Sequence, residues 1–300
     1  MPDLPPFQNT VNTRFAPSPT GLLHVGHAVA AIVAHDLARQ TGGQFFLRID
    51  DLDATRCRPE FEAAIYEDLR WLGLDWNVAV RRQSECLAEY AAALDRLRAR
   101  GMIYACFCTR REIVAEASRA MAAPHGMEGP AYPGTCRRRS SEEVHARTQK
   151  GEMHALRLDC AKAMAGLRKP LTFQEHGEGP GAETGEIQAR PDMLGDIVLA
   201  RGGPDGVAGF SYHLAVVIDD AAQNIGCVSR GRDLFFATHA QRLLQEMLEI
   251  PVPHYLHHAL AVDDSGKRLA KRHDALSLRH LREQGLPPAQ VRAMAQAVVN

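Results

Sequence analysis

Three hundred residues suffice to bury a sizeable core, in one large domain or two smaller ones. With 45% hydrophobic and 24% charged residues the composition is that of an ordinary soluble globular protein, and a net charge of −1 excludes a global positive field, so any RNA surface must be a local patch. Met1–Thr10 lacks the basic start and apolar core of a signal peptide, and Ala28–Ala34, the longest uninterrupted apolar run near the front, is far too short to span a bilayer.

A strand over Val11–Ala16 runs into a Pro/Gly turn and then into His24-Val25-Gly26-His27, where a helix begins. Ala28–Gln40 continues that helix and Gly42-Gly43 stops it. Gln44–Ile49 reads as a second strand. Phe61, Ala64, Ile65, Leu69 and Leu72 recur with a helical period and predict a helix over Glu60–Leu72. Another is expected over Ser84–Arg100, with Ser84 as its cap and Gly101 as its stop. Strands alternating with helices predict an α/β fold on a doubly wound parallel sheet. Between Tyr104 and Arg190 the chain turns rich in Arg, Gly, Pro and Cys and the alternation is lost; residues 176–186 read as a flexible loop. Strand-like runs return at Ile197–Ala200 and Tyr212–Ile218, followed by a helix over Thr238–Leu248. The expected organisation is 1–103 and 191–260 as two halves of one nucleotide-binding domain, 104–190 as an inserted module, and 261–300 as a loop with a short helical tail.

The chemistry concentrates in two places. A helix start carries unpaired N–H groups and the positive end of a dipole, so it attracts phosphate. His24 and His27 share a face there, and Gly26 lets a flat ligand approach the backbone. The second place is Cys106-Phe107-Cys108, with Cys136 following 28 residues later. This spacing suggests a zinc knot that is one ligand short of the four a structural site wants. His125 is a chemically simple candidate for the fourth. Arg110, Arg111, Arg137, Arg138 and Arg139 stand near these cysteines and offer contacts to an RNA backbone. The cysteines number seven, with Cys57, Cys86, Cys160 and Cys227 completing the set. An odd, scattered set argues against a disulfide framework and for a reducing cytoplasm.

Arg14–His27, reading RFAPSPTGLLHVGH, resembles the signature of the class I glutamyl-tRNA synthetases, whose first motif reads HVGH here. Phe46–Asp53 is similar to the family's FLRIEDxD, Trp71–Leu74 to its WLGL, Leu214–Asp220 to its AxVVDD and Arg230–Leu234 to its RGxDL. Lys267–Arg272 stands where the second motif, KMSKS, belongs. The resemblance spans residues 13–273 and implies a Rossmann-type catalytic core with an inserted, zinc-containing, acceptor-binding-like module. It implies activation of glutamate by ATP, with Mg²⁺ as counter-ion and no covalent enzyme intermediate. It assigns Arg14, Ala16, Ser18, Asp50, Tyr212 and Arg230 to glutamate, and His24, Gly26, His27 and Lys271 to ATP. His24, His27 and Lys271 are the expected catalytic groups, Lys271 acting from a loop whose polar start, Asp263-Asp264-Ser265-Gly266, suits closure over the nucleotide. The family's fourth zinc ligand corresponds to Tyr132, which makes Cys106, Cys108, Tyr132 and Cys136 the implied set for one Zn²⁺. Arg14 and Arg230 suit carboxylates, which a guanidinium grips with two parallel bonds, and Asp50 suits the ammonium. The chain departs from the pattern at Ala270, where the motif has Ser, at Arg268, where it has Lys, and at Asp50, where Glu is usual.

The sequence runs only 28 residues past Arg272 and in this resembles the truncated paralogues of the family. These attach glutamate to queuosine in the anticodon loop of tRNA(Asp) instead of to a tRNA 3′ end. The resemblance therefore implies a cytoplasmic, monomeric ligase whose partners are that anticodon loop, L-glutamate and ATP, with no membrane. Three other readings compete: a minimal synthetase charging a 3′ end, a catalytically inactive zinc-containing RNA-binding protein, and a small-molecule nucleotidylyltransferase. The intact HVGH, Arg14 and Lys271 oppose the inactive protein; the nucleotidylyltransferase shares the HxGH helix start but is disfavoured by RFAPSPTG, the RGxDL stretch and the cysteine knot.

Overall fold

The computed structural model describes residues 7, 10–119, 125–126, 129–130, 132–203, 206–261 and 277–299. Lys267, Arg268, Ala270 and Lys271 lie outside these residues, as does the Asp263–Gly266 stretch. The first half alternates as its sequence predicts, with β1 (Thr13–Phe15), α1 (Val25–Thr41), β2 (Phe45–Ile49), α2 (Pro59–Trp71) and α3 (Leu87–Ala99), and adds a two-residue strand, β3 (Arg81–Arg82), that the sequence pattern does not place. Helix α1 ends where Gly42 takes a left-handed φ of 72°. Gly43 must be glycine because a Cβ there would sit 1.9 Å from the Val11 carbonyl oxygen. Ser84 does not cap α3. Its N–H and hydroxyl are drawn to Asp51 at 2.8 and 2.6 Å, so a short 3₁₀ turn intervenes and Cys86 takes the cap position.

The middle of the chain forms β4 (Ile103–Cys106), α4 (Arg110–Arg119), the two-residue strands β5 (His125–Gly126) and β6 (Gly129–Pro130), α5 (Ser141–Gln149), β7 (Ala155–Leu158) and α6 (Cys160–Ala165). Then come the hairpin β8 (Thr172–Glu175) and β9 (Gly185–Gln188), β10 (Val198–Arg201) and β11 (Gly209–Phe210). The expected loop at 176–186 is the hairpin connection, except that its last two residues already belong to β9. The rest is α7 (Tyr212–Ala222), β12 (Cys227–Gly231), α8 (Phe235–Leu248), β13 (His254–His258), α9 (Leu278–Glu283) and α10 (Pro288–Val299).

One expectation is overturned here. Tyr212–Ile218 reads as a strand because of its Val216-Val217-Ile218 run, yet it is the body of α7. The Ser211 hydroxyl accepts from Leu214 N at the helix start, and Leu214, Ala215, Val216 and Val217 are all buried between neighbouring elements. Capping and two-sided burial override the β-branched propensity.

The sheets are mixed. β1, β2 and β3 pair in parallel, and β12, β13 and β8 pair in parallel with β9 antiparallel at the edge. Asn12 O accepts from Gly226 N at 2.9 Å and Cys227 N at 3.2 Å, which lays the start of β12 beside β1. The parallel strands are covered on both faces: Cys227 and Leu256 pack with α1, whereas Val228 and Tyr255 pack with α3, α7 and α8. A separate antiparallel sheet runs β11-β10-β7-β4. Strand pairing thus cuts across position 190: β8 and β9 join the strands that follow it, and β10 and β11 join β4 and β7 that precede it.

Candidate active site

A cavity of about 320 Å³ opens where β1, β12 and β13 end and α1 begins, the place where a parallel α/β sheet commonly offers its ligand site. Arg14 comes from β1, Ala16 and Ser18 from the turn after it, and His24, Gly26 and His27 from the helix start. Asp50 follows β2, Tyr212 opens α7 and Arg230 lies on β12. All nine line this one cavity although they span more than two hundred positions of chain.

The two motif histidines cap their own helix. His24 Nδ1 accepts from Gly26 N and His27 Nδ1 accepts from His24 N, both at 3.1 Å. This is a capping box made of imidazoles. Because both Nδ1 atoms accept, each neutral ring carries its proton on Nε2, a donor of the kind phosphate accepts. A Cβ on Gly26 would fall 2.9 Å from the His24 ring, so any side chain there would displace the imidazole.

Beneath the cavity lies a buried ionic network. Asp220 Oδ1 accepts from Arg14 Nε at 3.0 Å and Arg48 Nη1 at 2.6 Å. Arg48 Nε also donates to Asp50 Oδ1 at 2.7 Å. Asp219 accepts from Arg81, Gln83 and Tyr90, each at 2.8 Å. Burial alone would push the Asp220 carboxyl up, but Arg14 and Arg48 outweigh it and hold the group below the usual range. Burial wins at Asp50, whose carboxyl is raised despite Arg48.

Arg230 is held differently, by neutral partners. Its Nη1 donates to the Tyr212 hydroxyl at 3.1 Å, its Nη2 to Thr238 Oγ1 at 2.7 Å and its Nε to His257 Nε2 at 3.1 Å. His257 Nδ1 in turn meets Glu175 Oε2 at 2.6 Å. Burial and the adjacent Arg230 lower the His257 pKa to about 4. The ring is therefore neutral, with its proton on Nδ1 and its Nε2 an acceptor.

These connections name residues that the motif reading passed over. Arg48, Ser229 and His258 line the cavity, and Arg48 Nη2, Ser229 Oγ and His258 Nε2 are buried with no hydrogen-bond partner among the described residues. The signal for Arg48 and for Asp219-Asp220 was present: charged residues inside apolar runs must find buried partners. Ser229 and His258 carried no comparable signal.

The sequence profile of the tRNA synthetases class I (E and Q), catalytic domain, matches residues 10–297. The chain belongs to this family. Within it, the glutamyl-Q tRNA(Asp) synthetase of Rhodobacter capsulatus is 47% identical over 287 residues, covering 94% of this chain and 98% of that protein. The glutamate–tRNA ligase of Aquifex aeolicus is 37% identical over 93% of this chain but only 55% of its own length. A crystal structure of a glutamate tRNA ligase from Elizabethkingia meningosepticum, in complex with its amino acid, superposes with a TM-score of 0.71 at 27% identity. It spans 93% of this chain and 54% of that one.

The family chain gathers its three nearby cysteines at the end of β4. The Sγ atoms of Cys106, Cys108 and Cys136 all lie within 4.8 Å of one another, with Cys108 and Cys136 3.4 Å apart. The Tyr132 hydroxyl sits 3.7 Å from Cys108 Sγ and accepts from Cys136 N at 2.8 Å. A hydrogen bond from Cys106, with help from Arg139, pulls the Cys136 thiol far down, while Cys106 is pushed up. Of His125 only the backbone strand is described. The arginine run splits in its duties. Arg137 bonds Asp196 at 2.9 Å yet stays exposed, as Arg138 does, whereas Arg139 is half-buried and bonds Glu143 and Cys136 Sγ. No helix among the described residues is long and apolar enough to cross a membrane.

Proposed function

We propose that this chain activates L-glutamate with ATP and transfers the glutamyl group to queuosine in the anticodon loop of tRNA(Asp). The observation that carries the reading is the single cavity joining a phosphate-suited helix start to two arginines, an acid and a tyrosine. The near-full-length match to a glutamyl-Q tRNA(Asp) synthetase supports queuosine over a 3′ end as acceptor. In the first step a glutamate carboxylate oxygen attacks the α-phosphorus of ATP, and pyrophosphate leaves with its Mg²⁺. His24 and His27 donate to the phosphates, joined by Lys271, and Gly26 gives the nucleotide room. Arg230 and Arg14 receive the carboxylates, Tyr212 holds the fork of Arg230, and Asp50 meets the ammonium, with Ala16 and Ser18 forming the adjoining wall. Catalysis is then positioning and charge stabilisation. In the second step a hydroxyl of the queuosine ring attacks the acyl carbon, an ester forms and AMP departs with the bridging oxygen. A base in a loop can be splayed out and stacked on protein, which suits this acceptor.

The three clustered cysteines suit a tetrahedral Zn²⁺: thiolates about 2.3 Å from one ion lie about 4 Å apart, and these three Sγ atoms already lie within 4.8 Å of one another. Cys106, Cys108 and Cys136 would hold it with Tyr132 as fourth ligand, and the ion would brace the 104–190 module, whose exposed Arg110, Arg111, Arg137 and Arg138 would meet the RNA backbone. We read the protein as a cytoplasmic monomer. The test is incubation with labelled glutamate, ATP and tRNA carrying or lacking queuosine, followed by mapping of the labelled nucleotide. Label should vanish without queuosine and survive removal of the 3′-terminal adenosine. Label that is lost with that adenosine would make the protein a charging synthetase.

A further inference from the structure

Asp68 is an anomaly on α2. It is fully buried, and neither carboxylate oxygen has a hydrogen-bond partner among the described residues. An unsatisfied buried carboxylate is costly, and it persists where something else depends on it. Its nearest cation among the described residues is Arg282 Nη1, 3.5 Å away on α9, and Arg282 Nη2 also bonds Glu67 at 3.0 Å. Helix α9 is more than a tail. It begins at Ser277–Leu278, five residues after the Lys267–Arg272 motif. There Leu278 N donates to Leu23 O at 2.8 Å and Ser277 bridges His24 in antiparallel fashion. Leu278 itself is buried in the core that surrounds α1. The start of α9 is thus stitched to the residue that caps the HVGH helix, and the middle of α9 is held by α2.

We propose that Asp68 is a positioning residue for the nucleotide end of the site: through Arg282 it clamps α9, and with it Ser277 and Leu278, against the turn that carries His24. The groups facing the carboxylate are Arg282 and Arg279 of α9 and Glu67 of its own helix. Burial outweighs the two arginines and raises the Asp68 pKa to about 6. The charge is therefore present above pH 6 and lost below it, and the clamp weakens as pH falls through that value. The same imbalance gives the clamp a signature. Neutralising a buried carboxylate need not destabilise the fold, because its desolvation cost disappears with its charge.

The test compares Asp68→Asn, Arg282→Met and the double variant with wild type. Each single variant should lose about tenfold in kcat/KM for ATP in glutamate-dependent pyrophosphate exchange, the scale of one coupled charge pair, with KM for glutamate unchanged. The double variant should be no worse than the worse single. Wild-type exchange should fall between pH 7 and 5.5 more steeply than that of Asp68→Asn, every other titration being common to both. Amide hydrogen exchange at Leu278 should speed up in both single variants. The kinetic arm rests on the glutamate-activating reading; the amide-exchange arm does not, so an inactive wild type with a faster Leu278 amide in the variants would defeat only that reading. Additive single effects, superimposable pH profiles or an unchanged Leu278 amide would overturn the clamp. So would a destabilised Asp68→Asn protein with wild-type kinetics, which would make Asp68 merely structural.

Discussion

Asp220→Asn probes the link between the core and the site. Asp220 joins two guanidinium groups, Arg14 at 3.0 Å and Arg48 at 2.6 Å, and no side chain of the three is more than 10% exposed. Breaking a buried ion pair from one side typically costs about 3–5 kcal/mol. Arg48 keeps its contacts to Asp50 at 2.7 Å and Asp219 at 3.7 Å, so it is only partly stranded. Among the described residues Arg14 keeps only the Ser229 carbonyl, at 3.1 Å. The asparagine oxygen can still accept one bond, recovering about 1 kcal/mol. The expected loss is therefore about 2–4 kcal/mol in urea unfolding at pH 7, with a rise of about 10²-fold in KM for glutamate as Arg14 loosens. The pH dependence has a definite sign. The Asp220 pKa is held below its unfolded value, so its contribution is present above the ordinary carboxylate range. It is lost as pH falls through the lower folded value, so the unfolding curves of wild type and variant should converge below about pH 4. Asp53→Asn, which removes an exposed pairing with Arg56, serves as control and should leave the midpoint in place. A loss under about 1 kcal/mol for Asp220→Asn would refute the reasoning, since it would mean that the two arginines do not depend on this carboxylate.

Purified protein should contain one zinc per chain, and Cys108→Ser should lose it, as elemental analysis would show. His257→Phe removes the acceptor that aims Arg230 and leaves Glu175 without its imidazole, so glutamate KM should rise about 10-fold to 10²-fold. With its pKa held near 4, His257 should add no step to the wild-type profile between pH 6 and 8. Lys271→Ala should slow pyrophosphate exchange by about 10²-fold to 10³-fold, the usual toll for one preorganised charge, and Arg268→Ala by far less. Equal effects would mean that the two residues are assigned to the wrong motif positions.

How much was legible differs between backbone and network. Alternating strands and helices, the helix stop at Gly42 and the burial pattern of α2 follow from local periodicity and cap chemistry, both written in neighbouring residues. Tyr212–Ile218 misled because a β-branched run is common to buried strands and buried helices, and only Ser211 marked the difference. Strand pairing across position 190 was invisible because long-range register leaves little trace in composition. In the site, motif residues could be named one by one. Their partners could not, since Arg14 meets Asp220 from 206 positions away and Arg230 meets Glu175 only through His257.

That distinction changes what the two site arginines can do. Sequence chemistry treats Arg14 and Arg230 as equals, each able to grip a carboxylate. The structure separates them by their counter-charges. Arg14 is paired with Asp220, and Arg48 with Asp50 and Asp220, so the positive charge under that side of the cavity is largely cancelled. Arg230 touches a phenol, a hydroxyl and a neutral imidazole, and no carboxylate pairs with it among the described residues. Glu175 stands one residue further back, and the lowered pKa of His257 keeps a second cation from forming between them. Arg230 therefore presents an aimed but unneutralised charge, the condition under which a substrate carboxylate gains most from a guanidinium. Arg14 meets a substrate carboxylate with its charge already shared by Asp220 and its fork fixed on the Ser229 carbonyl, so it adds less than Arg230 does. An amino acid with two carboxylates and one ammonium meets a cavity in which, among the described residues, Arg230 on β12 is the arginine without a carboxylate partner and Asp50, after β2, is an acid of raised pKa. A bound ammonium would favour the charged form of Asp50 against the burial that raises its pKa, so substrate and site complement each other at both ends.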